Sequence, residues 1–267
     1  MFELTDFLIR VLAGAGGGFA VGLTGVGGGS LMTPLLLVLG YPAPVAIGTD
    51  LLYAALTKAG GAWSHHRHGN VEWRIVAVLA AGSIPASILL HLLLLDADFQ
   101  DSPAFADLLT SSLGIMLIIT ASILLFGNKL RKRALDEKPP TLMRRMHHHR
   151  EVVTLCMGVL LGICVTLSSV GAGAFGAAIL LTIYSSISAV RIIGTDIAHA
   201  VPLTFVAGLG YFFSGYVDML LLASLLLGSL PAIHLGSKVS NHLPDGVLQK
   251  LLVSVLLLMG LYYTLLK

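Results

Sequence analysis

The chain of 267 residues is 56% hydrophobic and only 11% charged, with a formal charge of +2 and a mean hydropathy of +0.89. A soluble domain is usually about one quarter charged, so this composition excludes one. The apolar residues come in long runs without alternation, which excludes a transmembrane barrel and leaves an all-α polytopic membrane protein.

In chain order the apolar segments fall at 7–24, 30–41, 43–63, 72–95, 106–126, 152–168, 176–187, 190–213, 217–237 and 247–266. The acidic opening lacks the basic region of a cleaved signal peptide. The first two segments are separated by Gly25, Gly27, Gly28, Gly29 and Ser30, where an unbroken helix is disfavoured. The run that follows holds about ten residues, and at ~1.5 Å per residue it is too short to cross a ~30 Å hydrocarbon core. Irregular backbone at that depth must be covered by protein or line a cavity, so the stretch predicts the tip of a re-entrant hairpin. Gly171, Gly173 and Gly176 predict a second tip.

Charged residues orient the segments. Residues 127–151 carry Lys129, Arg131, Lys132, Arg133, Lys138, Arg144, Arg145 and Arg150, which places that linker in the cytoplasm and predicts a polar, flexible loop. Arg67 and Arg74 put the 64–74 connection on the same side, whereas the acidic 96–102 turn and the uncharged turn after Ser214 belong outside. Both termini then lie outside. Cys156 and Cys164 fall about 12 Å apart along one predicted helix, too far for a mutual disulfide.

The two halves are a repeat. Residues 16–86 align with 162–232 at a constant offset of 146, with 18 identities in 71 positions, among them Gly25/Gly171, Gly27/Gly173, Gly82/Gly228, Ser83/Ser229 and Pro85/Pro231. Gly48-Thr49-Asp50 matches Gly194-Thr195-Asp196, and Glu72 faces Asp218. Five segments per half, counted with the loop charges, invert the second half, a pattern of secondary transporters. The organisation expected is one integral domain: a first repeat over 1–126, the linker 127–151, and a second repeat over 152–267.

Each tip precedes a helix start. The free amides and positive dipole end there would receive an anion, with Ser30 as the N-cap of the first short helix and Gly176 at the start of the second. The alternative is that these glycines serve close helix packing. Thr49 and Thr195 could reach the tips as ligands. Asp50 and Asp196 either take up and release a proton or cap a helix start at the interface. Lys58, eight residues past Asp50, either helps hold the anion or snorkels to the surface, and Arg191 has the same two readings. His199 is either a proton partner of Asp196 or a satisfied core histidine.

The clusters His65-His66-Arg67-His68 and His147-His148-His149 fall in predicted loops without Cys or carboxylates at zinc spacing, so no metal and no cofactor is expected. No P-loop, HExxH or GxSxG motif is present, and nothing supports nucleic-acid binding. An intramembrane enzyme using His199 and Asp196 has no nucleophile predicted beside them.

The stretch 22–34 (Gly-Leu-Thr-Gly-Val-Gly-Gly-Gly-Ser-Leu-Met-Thr-Pro), Ala46-Ile-Gly-Thr-Asp50, residues 65–69, Val71-Glu-Trp73 and their repeats at 171–176 and 194–196 together resemble the TauE/SafE family of sulfite and organosulfonate exporters. The resemblance spans nearly the whole chain except the linker, and departs at Asp50 and Asp196, where many members carry Ser or Asn. It implies a transporter, not an enzyme, that exports a small anion across a bacterial inner membrane. Sulfite or a short organosulfonate is the expected cargo, with a proton or the membrane potential as the driving force. A permease for a carboxylate, another oxyanion or a metal ion is the alternative. The partners expected are the anion and the bilayer, with a homodimer left open.

Overall fold

The computed structural model describes residues 2–24, 29–94, 100, 102–135, 149–240 and 245–265. They form ten helices: α1 (Phe2–Thr24), α2 (Gly29–Val38), α3 (Ala43–Arg67), α4 (Trp73–Leu93), α5 (Pro103–Leu135), α6 (Arg150–Ser168), α7 (Ala174–Ile183), α8 (Ala189–Phe213), α9 (Met219–Ser240) and α10 (Asp245–Leu265). Each predicted apolar segment is one of these helices, and no strand occurs among the described residues. Six of them, α1, α4, α5, α6, α8 and α9, are long and apolar enough to cross a bilayer. Helices α2 and α7 have ten residues each, about 15 Å of rise, and cannot.

Four boundaries differ from the expectation. Helix α5 runs on to Leu135, through about a third of the 127–151 stretch that reads as loop. Leu, Lys, Arg and Ala in that stretch are good helix formers, which favours the continuation. His65 and His66 lie in the last turn of α3 and not in a loop, and His147 and His148 lie outside the described residues. Helix α2 begins at Gly29, so Ser30 is inside the helix and does not cap it, and α7 begins two residues before Gly176.

Helices α3 and α8 form the centre. Of the most apolar window of α8, 61% is buried, against 17% for α1 at the periphery. The two central helices run antiparallel: the end of α3 meets the start of α8 where Asn70 and His65 crowd Gly194, and the end of α8 meets the start of α3 where Tyr211 and Tyr216 crowd Gly48. Around them α1 packs on α9 and α6 packs on α4, the same pairing with the halves exchanged. Gly18 of α1 sits on Ser229 of α9, and Gly162 of α6 sits on Ser83 of α4, at backbone contact that a side chain would prevent. Helices α5 and α10 close the remaining side, antiparallel to each other through Gly114 and Gly260. In lipid, packing contacts of this kind replace the hydrophobic drive between helices. Both central helices end on a left-handed glycine at equivalent repeat positions, Gly69 (φ +69°) and Gly215 (φ +79°).

Candidate functional site

The second hairpin tip is residues 169–173, between α6 and α7. Gly171 and Gly173 take φ of +126° and +133°, which open the chain between the two helices. Ser169 is left-handed at φ +57° and caps α6, its amide donating to the Val165 carbonyl at 2.8 Å. Beyond it, the Gly176 and Ala177 amides donate back to the Gly171 and Gly173 carbonyls, each at 3.0 Å.

Lys58 reaches this tip from the other half. Its Nζ donates to the Ala172 carbonyl at 2.9 Å, and the side chain is 7% exposed, so it does not snorkel as one sequence reading allowed. Helix α3 runs nine residues beyond Lys58 to Arg67, which leaves the ammonium too deep to reach the surface. Lys58 lies in the fields of Asp196 and Asp50, Asp196 the stronger. Asp196 is 1% exposed, with Oδ1 without a hydrogen-bond partner among the described residues and its carboxyl turned to the Gly173 amide. That carboxyl fills the place a Cβ of Gly176 would take. Gly171, Gly173, Gly176, Lys58 and Asp196 are therefore gathered at one place, with His199 in the field of Lys58.

His199 is fully buried. Its Nε2 meets the Ser83 hydroxyl at 2.8 Å, while Nδ1 has no partner among the described residues. A hydroxyl thus stands beside His199, where none was expected. Repeat symmetry accounts for it: Tyr53 and Ser229 occupy the positions equivalent to His199 and Ser83, and the Tyr53 hydroxyl faces Ser229 without closing a hydrogen bond.

Asp50, on α3, is fully buried against α2. Its Oδ2 accepts a hydrogen bond from the Thr33 hydroxyl; the Ser169 hydroxyl is close enough to act on the carboxyl, but neither it nor Asp50 Oδ1 closes a hydrogen bond among the described residues. Asp50 and Lys58 are about 12 Å apart along α3, eight residues at ~1.5 Å. Residues 169–173 span this interval: Ser169 at Asp50, Ala172 at Lys58, Gly173 at Asp196.

Thr49 and Thr195 are placed differently. The Thr195 hydroxyl accepts from the Glu72 amide at 2.9 Å and donates to the Arg191 carbonyl at 2.6 Å, and the Thr49 hydroxyl accepts from the Asp218 amide at 3.3 Å. They join the halves instead of facing the tip. Arg191 pairs with Glu72 at 2.6 Å, half exposed, at the end of the α3–α8 pair. Gly25, Gly27 and Gly28 lie outside the described residues, as does the side chain of Ser30; Gly29 is the first residue of α2.

Sequence reasoning missed Thr33, Ser169, Ser83 and Tyr53. The repeat contains a signal for two of them, since Tyr53 aligns with His199 and Ser83 with Ser229. Ser169 and Thr33 align with Leu23 and Ile179, so nothing in the repeat marks them.

Residues 10–263 match the family described as sulfite exporter TauE/SafE. The chain is 36% identical over 252 residues to the probable membrane transporter protein YjnA of Bacillus subtilis (strain 168), covering 94% of this chain and 97% of that one. It is 30% identical over 237 residues to the probable membrane transporter protein YdhB of the same organism, covering 87% and 89%. No solved structure matches it. With the family match running almost from end to end and both relatives covered over nearly their full length, this chain belongs to the TauE/SafE family of membrane transporters.

Proposed function

We propose that the protein is a secondary transporter that exports a small anion, sulfite or a short organosulfonate. The anion binds at the start of α7, against Lys58. The observation that carries this reading is the Lys58–Ala172 bond: a buried ammonium, with hydrogens to spare, held at an amide-rich tip where the dipole of α7 is also positive. An ionisable group at that depth is expensive and is retained for function. His199 Nδ1, without a hydrogen-bond partner among the described residues, is open to a polar guest. Thr49 and Thr195 support the site through the antiparallel α3–α8 pair.

Charge balance suggests the coupling. Two carboxyls and one ammonium leave one negative charge in a dry interior, so a proton or the anion's own exchange must settle the account as the site turns over. Antiparallel packing of the repeat-equivalent helices supports an inverted repeat that exposes the site to one face at a time. In this reading the basic linker is cytoplasmic in a bacterial inner membrane and both termini are outside.

The Ser83–His199 pair raises a hydrolase as a second reading. Its Nδ1 has no orienting group among the described residues, and the repeat-equivalent Tyr53–Ser229 pair contains no base, so transport is favoured. The test is flux of labelled sulfite and methanesulfonate into proteoliposomes, with acetate as competitor. Lys58→Met should reduce sulfonate flux by about tenfold or more. Wild-type flux in that variant, or stronger competition by acetate than by sulfite, would refute the site or the substrate class respectively.

A further inference from the structure

The site's symmetry is broken at the residues that carry its chemistry. Lys58 has Thr204 as its repeat equivalent, and that hydroxyl is spent on the Ala200 carbonyl at 2.9 Å. Thr33 has Ile179, and Ser169 has Leu23. The two repeat-related carboxyls therefore stand in different surroundings. Asp196 sees groups that only donate, the Gly173 amide and the Lys58 ammonium, which serve a carboxylate used as a fixed acceptor. Asp50 sees two hydroxyls, Thr33 and Ser169, which can either donate or accept. The Thr33 hydroxyl can stay with this carboxyl whether or not it holds a proton, and the Ser169 hydroxyl, without a partner among the described residues, is at hand to accept from the protonated form.

We propose that the two carboxyls have separate tasks: Asp50, beside the hydroxyls of Thr33 and Ser169, exchanges the proton, and Asp196, at the start of α7, holds in place the Lys58 ammonium that receives the anion. This rests on the anion-transport reading above. The backbone of Ser169 is a second, independent support. A left-handed C-cap is the usual place of glycine, yet this chain holds a serine there at φ +57° with its hydroxyl facing Asp50. Lys58, on α3 itself, acts on Asp50, and Asp50 acts on Tyr53 of the same helix; α2 and the tip bring the hydroxyls of Thr33 and Ser169. Ser169 and Thr33 are positioning residues in this scheme. Residues 169–173 then link the two tasks, because one short segment touches Asp50 at one end and Asp196 at the other.

The full-length protein in proteoliposomes decides it, with methanesulfonate as the probe because its charge is constant across the pH range used. Asp50→Asn and Ser169→Gly should flatten the pH profile of flux and lower its maximum rate. Asp196→Asn and Lys58→Met should raise KM about tenfold or more, with the pH profile keeping its wild-type shape. Ser169→Gly also relieves the left-handed backbone, so its melting temperature should equal or exceed that of wild type; a merely structural serine would then leave the pH profile alone. A retained pH profile in Ser169→Gly, or the same phenotype in Asp50→Asn and Asp196→Asn, overturns the division of tasks. A wild type that moves none of sulfite, methanesulfonate and acetate overturns the transport reading itself, which is a distinct result.

Discussion

The Thr195 hydroxyl accepts the Glu72 amide at 2.9 Å, so the first turn of α4 in one half is capped by α8 of the other. Thr49 repeats the contact with the Asp218 amide at 3.3 Å, at the opposite end of the α3–α8 pair. In each Gly-Thr-Asp tripeptide, Gly lets the other half's loop approach, Thr caps the other half's helix, and Asp turns to the short helix of its own hairpin. Three consecutive residues thus connect the site to both ends of the scaffold.

Thr195→Val removes the acceptor for the Glu72 amide while keeping the shape. Loss of a cap and an unpaired amide should cost about 1–2 kcal/mol of stability. Thermal unfolding in detergent reads this directly, and Thr195→Ser should recover most of the loss.

Gly176→Ala places a methyl where the Asp196 carboxyl lies. The carboxyl or α7 must move, and anion flux should fall by about tenfold or more. The double variant Gly176→Ala with Asp196→Ala should regain stability relative to the single one, a coupling of about 1–3 kcal/mol by double-mutant cycle. Additive effects would show that the two residues do not touch.

Gly18→Leu pushes α1 off α9 at Ser229. Overpacking of this kind costs about 1–3 kcal/mol. The expected readout is a lowered melting temperature and faster proteolysis of α1, with no change in the KM of the protein that remains folded.

Ser83→Ala takes the partner from His199 Nε2, leaving both ring nitrogens unpaired in a buried place. Stability should fall by about 1–3 kcal/mol, and flux should fall less than in Lys58→Met. Complete loss of flux in Ser83→Ala at normal stability would move Ser83 into the anion site itself.

Much of the fold is legible in the chain because membrane helices are specified locally. Apolar run length locates the ten helices, and a ten-residue run between glycines and a turn yields a short helix in any tertiary context. The constant offset of 146 marks the two halves as a repeat, and the structure pairs α1 with α9 and α6 with α4 in the same way with the halves exchanged. The offset also singles out Asp50 and Asp196 as a matched pair, without deciding whether they lie deep or cap a helix start. What the tertiary structure alone decided is which atoms meet. Lys58 could as well have snorkelled, and only the course of residues 169–173 brings the Ala172 carbonyl to it. Thr49 and Thr195 stand next to the aspartates in sequence, yet successive helix residues point about 100° apart, so their hydroxyls serve the other half while the carboxyls face the tips. Nothing in the repeat marks Ser169 or Thr33, because a hydroxyl gains its role from the group it faces, and that group lies on another helix.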